Sequence, residues 1–443
     1  MNWKRLIVSI LIVLPILIFI GTVFSLATDV PYMDDFDAVL GFLNHGWPQM
    51  ASHLCDFHNE HRIAVPRLFF AALYAIEGVF NFRHCILIGD AMLLAYVCLF
   101  AHRIHRAASS LCALPFLWLF LDILNYENTL WALTSIQWHG TFLFALGAFI
   151  AYEKSERMPW LALALSFAAV CNLSGGAGIF IWPALVLMEA FFCFRTHGTW
   201  AINSWPTWKK FLSARLFILV VVGLSVSLLY LHGFHGNSRH LVHNLVPVAT
   251  GFQPLRMIDF FVSFCGAAYP FFHMPALFCG SIVCGLLAMI AFRIHKINDP
   301  VLLSMLTFTL GSAVAGALFR SNLFDNAALA VRYRILSLTL IACTISITYN
   351  LFKKPLARKT FHRVLVLVLL ATIATNIMSA VITYPRERDR QKSRAEGLAK
   401  WPRDTSALPY DTNRLDHADR ILRESERTGT WKPIWIQERQ IPH

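Results

Sequence analysis

"LIVSILIVLPILIFIGTVFSLATDVPYMDDFDAVL", residues 6–40, joins two features that seldom adjoin: a long run without a single charge, and then Asp34, Asp35 and Asp37 within four positions. At 1.5 Å of rise per residue the apolar run is long enough to cross a hydrocarbon core of roughly 30 Å as a helix. It is too long for the apolar core of a secretory signal and lacks a small-x-small cleavage site, so it reads as a retained anchor. The aspartates therefore stand at the mouth of a membrane span.

Similar runs recur along the chain. Of its 443 residues, 57% are hydrophobic and 14% charged, and the mean hydropathy is +0.55. A soluble chain of this length needs more polar surface than that. The expected fold is all-α and polytopic, with about eleven transmembrane helices near 6–26, 84–101, 110–124, 130–151, 158–172, 178–194, 213–231, 275–292, 300–319, 333–351 and 364–383. Ten cysteines lie mostly in or beside apolar runs and form no CxxC pair. They suggest neither a disulfide framework nor a zinc site. The distribution of the net charge of +12 matters more than its sum: 17 of the 38 basic residues lie on short segments flanking the spans, a pattern of membrane topology, and no nucleic-acid partner is expected.

Basic residues near spans mark the cytoplasmic side. With the N-terminus ("NWKR") inside, "HRIHR" (102–106), "EKSER" (153–157), the linker 195–215, "RIHK" (293–296) and "KKPLARKTFHR" (353–363) all fall inside as well. This alternation requires "VPRLFFAALYAIEGVF" (65–80) and "MIDFFVSFCGAAYPFF" (257–272) to be interfacial helices rather than spans. The outer face then carries a first loop (27–83), a second loop (232–274) and a periplasmic tail (384–443), against a transmembrane domain of residues 1–383. Internal repeats, the mark of many transporters, are absent from the sequence.

Most of the chemically interesting residues fall on that outer face. Loop aspartates ordinarily cap helices or form turns, but a partly desolvated carboxylate with one charged neighbour can serve as a general base. Asp34, Asp35 and Asp37, with Glu60, are the candidates. In "FHNEHRIAVPRL" (57–68), His58 and His61 could approach a metal on one helical face, but two such ligands do not close a coordination sphere. Arg62 and Arg67, with Arg320, Arg332 and Arg334 around Tyr333 in "FRSNLFDNAALAVRYRIL" (319–336), run against the positive-inside tendency. They would suit a phosphate held by guanidinium forks; snorkelling to lipid phosphates is the simpler account. Glu127, Asn128 and Gln137 in "NYENTLWALTSIQWHG" (125–140), and Asn172 before the glycines of "CNLSGGAGIFIWP" (171–183), are further polar groups at helix ends. Asp90, inside "ILIGDAMLL" (86–94), reads as a structurally paired residue.

The pieces "YMDDFD", "HNEHRIAVPRLFF", "ENTLWALTSIQ", "NLSGGAGIFIWP" and "RYRILSL" together resemble the GT-C superfamily of polytopic glycosyltransferases. The layout is similar to prophage-type serotype-converting O-antigen glucosyltransferases. The resemblance covers residues 1–383 and leaves the tail without a role. It implies transfer of a hexose from undecaprenyl-phosphate sugar to a polysaccharide or lipid-linked acceptor, at the periplasmic face of a bacterial inner membrane. It further implies a base among Asp34, Asp35, Asp37 and Glu60, a phosphate clamp from Arg62, Arg67, Arg320, Arg332 and Arg334, and substrate contacts from His58, His61, Glu127, Asn128, Gln137, Asn172 and Tyr333. Members differ in whether they use a divalent cation, so no cofactor is assigned. Rival expectations are a flippase or transporter of a lipid-linked sugar, which would rely on groups such as Asp90, and an O-antigen polymerase or ligase using the histidines of the second loop.

Overall fold

The computed structural model describes residues 3–59, 61–197, 214–233, 253–268, 273–321, 327–352 and 354–432. Glu60 and most of the expected second loop, including His235, His240 and His243, lie outside the described residues.

The chain is an all-α polytopic membrane protein. Among the described residues, nine helices are long and apolar enough to cross a membrane, and Met158–Ser174 is a shorter apolar helix. The apolar helices Ser110–Phe120 and Ile123–Thr129 form a pair bent by 56°. Each of the eleven expected spans falls on one of these. The break follows from Asp122, whose carboxylate accepts from the Leu124 amide (2.9 Å) and restarts the helix. The two stretches expected not to cross are short helices, α2 and α9 below. The last span departs from expectation: its helix does not end near residue 383 but continues to Ala399.

In order, the principal helices are α1 (Trp3–Leu26), α2 (Ala64–Glu77), α3 (Phe82–Ala107), α4 (Ser110–Phe120), α5 (Gly140–Tyr152), α6 (Met158–Ser174), α7 (Ile181–His197), α8 (Ala214–Leu231), α9 (Pro254–Cys265), α10 (His273–Phe292), α11 (Pro300–Arg320), α12 (Arg334–Leu351), α13 (Pro355–Ala399) and α14 (Leu415–Thr428). They divide into two compact units: Met1–Ala95 with Leu121–Gly140 and Ile373–His443, and Tyr96–Phe120 with Thr141–Thr372.

The larger unit is built around α12, which is buried along most of its length. Its hydroxyls would be costly in an apolar interior, and they are satisfied locally: Thr339, Thr344 and Ser346 donate to the carbonyls four residues back. The hydroxyls of Tyr96 and Thr339 also meet at 2.7 Å, within a ring cluster of Phe100, Phe120 and Phe142. At one end of this unit Arg103 holds Glu153 through both of its terminal nitrogens (2.7 and 2.6 Å) and Asp299 through Nε (2.7 Å). Asn350 donates to Ala107 O (2.7 Å), and Arg195 reaches Asn298. Positions 103–107, 153, 195, 298–299 and 350 therefore share one end of the unit, as an alternating path through the intervening helices requires. Outward-facing Phe217, Leu228 and Phe278 are each about two-thirds exposed (68%, 67%, 69%). Such side chains suit contact with lipid tails, where the helical backbone satisfies its own hydrogen bonds.

Helices α9 and α10 meet backbone to backbone. A Cβ built at Gly280 would lie 1.8 Å from Val262 O, and one at Gly266 would lie 2.0 Å from Ala276 O. Small residues at such crossings are what allow apolar helices to pack closely. A Cβ at Gly285, on the same helix, meets nothing within 4 Å. Gly280→Ala is therefore expected to lower the melting temperature of the detergent-solubilised protein, by a loss of about 1–3 kcal/mol typical of overpacking, while Gly285→Ala melts with the wild type. Equal melting of both variants would contradict the close crossing.

Candidate functional site

The smaller unit gathers the first connection (27–81), the segment 121–140 and the tail. The connection is anchored at its ends: the Asp29 carboxylate accepts from the Phe82 amide (2.7 Å), opening α3. Burial raises the Asp29 pKa to about 6, against the lowering effect of that hydrogen bond. At Met33 the backbone turns through a left-handed conformation (φ 47°), uncommon for a residue with a side chain. The turn delivers the three aspartates to three different surroundings.

Asp35 is buried. One carboxylate oxygen accepts from the Tyr32 amide (3.1 Å) and the other from the Leu133 amide (2.9 Å), so it closes its own turn and ties it to the segment 131–133. Desolvation is the main reason its pKa is raised, to about 8; the two amides oppose the shift and the neighbouring Asp34 adds to it. Asp37 opens a π-helical turn, Phe36–Gly41, and its carboxylate is taken by the tail: it accepts from Tyr410 Oη and from His417 Nε2, with Arg414 3.9 Å away. Asp34 faces outward, its side chain 43% exposed, with His58 Nε2 3.7 Å from Oδ2.

His58 and His61 lie on a two-stranded hairpin, β1 (Phe57–His58) against β2 (His61–Arg62), where they are directly opposed. They do not share a helical face, which corrects that expectation; the alternation of side chains in so short a segment carried no helical signal. Among the described residues no group of three metal-ligating side chains is close enough to hold an ion.

The arginines divide as well. Arg67 Nη1 donates to the carbonyls of His53 (2.9 Å) and Asp56 (2.6 Å), Arg62 Nη1 donates to Cys55 O, and both guanidinium groups lie over rings, Phe57 and Phe42 respectively for Arg62 and Arg67. Both side chains are buried, and their donors hold the loop 53–56 in shape. In the larger unit, Arg320 donates to Tyr333 Oη, Arg320 and Arg332 both lie over the Tyr333 ring (5.7 and 5.6 Å), and Arg334 Nε donates to Ala268 O (2.7 Å). Asn172, buried in that unit, accepts from Trp182 Nε1 (2.7 Å), a structural staple just before the glycine break. There a Cβ at Gly178 would strike Cys171 O at 2.0 Å.

Asp90 is buried on α3, with His139 Nδ1 3.5 Å from one oxygen. The same nitrogen lies 3.0 Å from Gly89 O, so the imidazole is shared with the backbone. Asn128 is buried and Gln137 half-buried, on neighbouring turns of the segment 126–139.

The polar extension of α13 supplies residues that no sequence feature singled out. Glu387, Arg390 and Arg394 join Tyr32, Tyr126, Glu127, Leu130 and Trp131 around a cavity of about 370 Å³. The Arg394 guanidinium sits 3.5 Å from the centroid of the Tyr32 ring, and Tyr32 meets Trp131 edge to face at 5.3 Å. Arg390 pairs with Glu387. The signal was available only as charge spacing: positions 387, 390, 391 and 394 share one face of a helix, but only if the helix is known to continue.

Asp35 yields a pH dependence. Its folded pKa, about 8, is raised from 3.8, so the folded chain retains the proton while the unfolded chain releases it. Its stabilising contribution is full below about pH 4 and is lost as pH rises to about 8. Thermal melting of this unit in lipid nanodiscs should fall from pH 5 to pH 8.5, and Asp35→Asn should flatten that slope. An unchanged slope in the variant would refute the assignment.

No protein-family model matches the chain, and no curated protein matches it. Among solved structures, the chain is similar to the archaeal oligosaccharyltransferase AglB from Archaeoglobus fulgidus, in complex with an inhibitory peptide and a dolichol-phosphate, at 13% identity and a TM-score of 0.48. The match covers 95% of this chain and 60% of that one, so this chain spans less than two thirds of that protein's length.

Proposed function

We propose that the chain is an inverting GT-C-type glycosyltransferase. It moves a hexose, glucose in the reading its sequence resemblance favours, from undecaprenyl-phosphate sugar to a cell-surface polysaccharide such as O-antigen. The reaction is placed at the periplasmic face of a bacterial inner membrane, with the N-terminus cytoplasmic and the C-terminus periplasmic. The observation that carries this reading is the division of labour among the aspartates: Asp35 is buried on two amides, Asp37 is engaged by the tail, and Asp34 presents a half-exposed carboxylate beside His58.

In this mechanism Asp34 accepts the proton of the acceptor hydroxyl as the oxygen attacks the anomeric carbon. The bond from that carbon to the lipid phosphate breaks on the opposite face, and its electron pair leaves with the phosphate oxygen. Stabilising that growing charge is commonly the larger contribution. His58 is proposed to orient Asp34. Arg62 and Arg67 act at one remove, by holding the loop that carries the hairpin. Transport of a lipid-linked sugar is the second reading, favoured by Asp90 and His139 inside the helical region.

The test is transfer of labelled glucose from undecaprenyl-phosphate glucose to acceptor polysaccharide in membranes carrying single variants. Asp34→Asn should lower the rate by roughly 10² to 10⁴, the usual worth of a positioned base, and leave melting unchanged because the side chain is half exposed. Transfer at the wild-type rate by Asp34→Asn would sink this mechanism. Loss with Asp90→Asn but not with Asp34→Asn would favour transport.

A further inference from the structure

The cavity walled by Tyr32, Tyr126, Trp131 and the polar end of α13 is not accounted for by a base and a phosphate clamp. Its volume, about 370 Å³, lies within the ~300–1,000 Å³ of small-molecule sites. Three aromatic rings line it, together with Glu127, Glu387, Arg390 and Arg394. The formal charges of those four side chains cancel.

That balance decides between ligand classes. An anion entering the cavity would be drawn to two guanidinium groups but would also face two carboxylates. Arg390 is already paired with Glu387, and Arg394 lies over the Tyr32 ring, 3.5 Å from its centroid. A neutral polyhydroxyl ring meets no such conflict: its C–H faces pack on aromatic rings, its hydroxyls donate to carboxylates, and its oxygens accept from guanidinium N–H groups. One observation points to a missing donor. Glu387 is buried (1% exposed), and its Oε2 has no hydrogen-bond partner. A buried, unsatisfied carboxylate oxygen is costly, and a ligand hydroxyl would remove that cost.

We propose that this cavity binds a neutral sugar ring, with Glu387 and Arg394 as its polar contacts and Tyr32, Tyr126 and Trp131 as its walls. Tyr32 stands two residues before Asp34, a Cα separation of at most about 7 Å. The bound ring is therefore placed beside the proposed base, as the acceptor residue; that last assignment rests on the glycosyl-transfer reading, whereas binding itself does not. The site is incomplete without the tail, because Glu387, Arg390 and Arg394 all follow the last apolar run.

The experiment uses the full chain in nanodiscs and saturation-transfer NMR, with methyl α-D-glucopyranoside and inorganic phosphate as separate probes. The wild type should give saturable glycoside signals that phosphate does not displace. Glu387→Gln and Arg394→Lys, chosen to preserve volume, should each reduce them at least fivefold. Asp34→Asn should keep the glycoside signals while losing transfer, which separates this proposal from the mechanism above. Absence of saturable glycoside signals, equal signals in both cavity variants and the wild type, or displacement by phosphate would each overturn it.

Discussion

The buried carboxylate of Asp35 is the contact on which the site depends. It accepts from the amide of Tyr32 on one side and of Leu133 on the other, and so fixes a turn of the first connection against the segment that carries Trp131. Two consequences follow from this one side chain. Asp34, the next residue back, keeps a half-exposed side chain (43%), while Tyr32 and Trp131 are set edge to face as adjoining walls of the cavity. Burying a carboxylate is costly, and two amide donors together with a raised pKa are how this chain sustains it.

The tail completes what Asp35 begins. Tyr410 and His417 hold Asp37, Ser425 reaches Asn44 (3.0 Å), the Phe80 amide donates to Thr430 O (2.7 Å), and Trp431 is buried next to Phe82. Helix α14 thus rests its buried positions, Ala418, Leu422 and Ser425, within the same unit as the first connection. The tail, which the family resemblance leaves without a role, is a structural partner of the acidic loop. Its charges have specific tasks: Asp419 accepts from Trp401 Nε1 (2.8 Å) and from Arg423 (2.8 Å).

What the sequence disclosed and what it hid divide along physical lines. Membrane helices announce themselves because lipid demands long uninterrupted apolar runs; hence the nine long apolar helices found among the described residues were visible in residue order alone. The continuation of α13 was hidden because an exposed polar helix has no such signature: past Tyr384 the apolar run ends while the helical hydrogen bonding does not. The fates of the three aspartates were equally hidden, since Asp35 and Asp37 acquire their partners from residues about 98 and 373–380 positions away. Arg62 and Arg67 looked like a clamp because sequence shows a charge and not where its donors go; here they go to backbone carbonyls.

Polar satisfaction is the criterion that separates structure from function in a chain this apolar. In the larger unit, several polar side chains close on one another: Arg103 with Glu153 and Asp299, Tyr152 with Glu189 (2.9 Å), and Asn172 with Trp182. These contacts use the polar groups of the helix ends on one another. Glu387 behaves differently. Half of its carboxylate is used by Arg390 and the other half is buried without a donor, in the wall of a cavity whose charges cancel. Asp90 is likewise buried without a hydrogen-bond donor to its oxygens, but Glu387 is the one of the two that stands in the wall of the cavity, where a ligand hydroxyl could supply the donor.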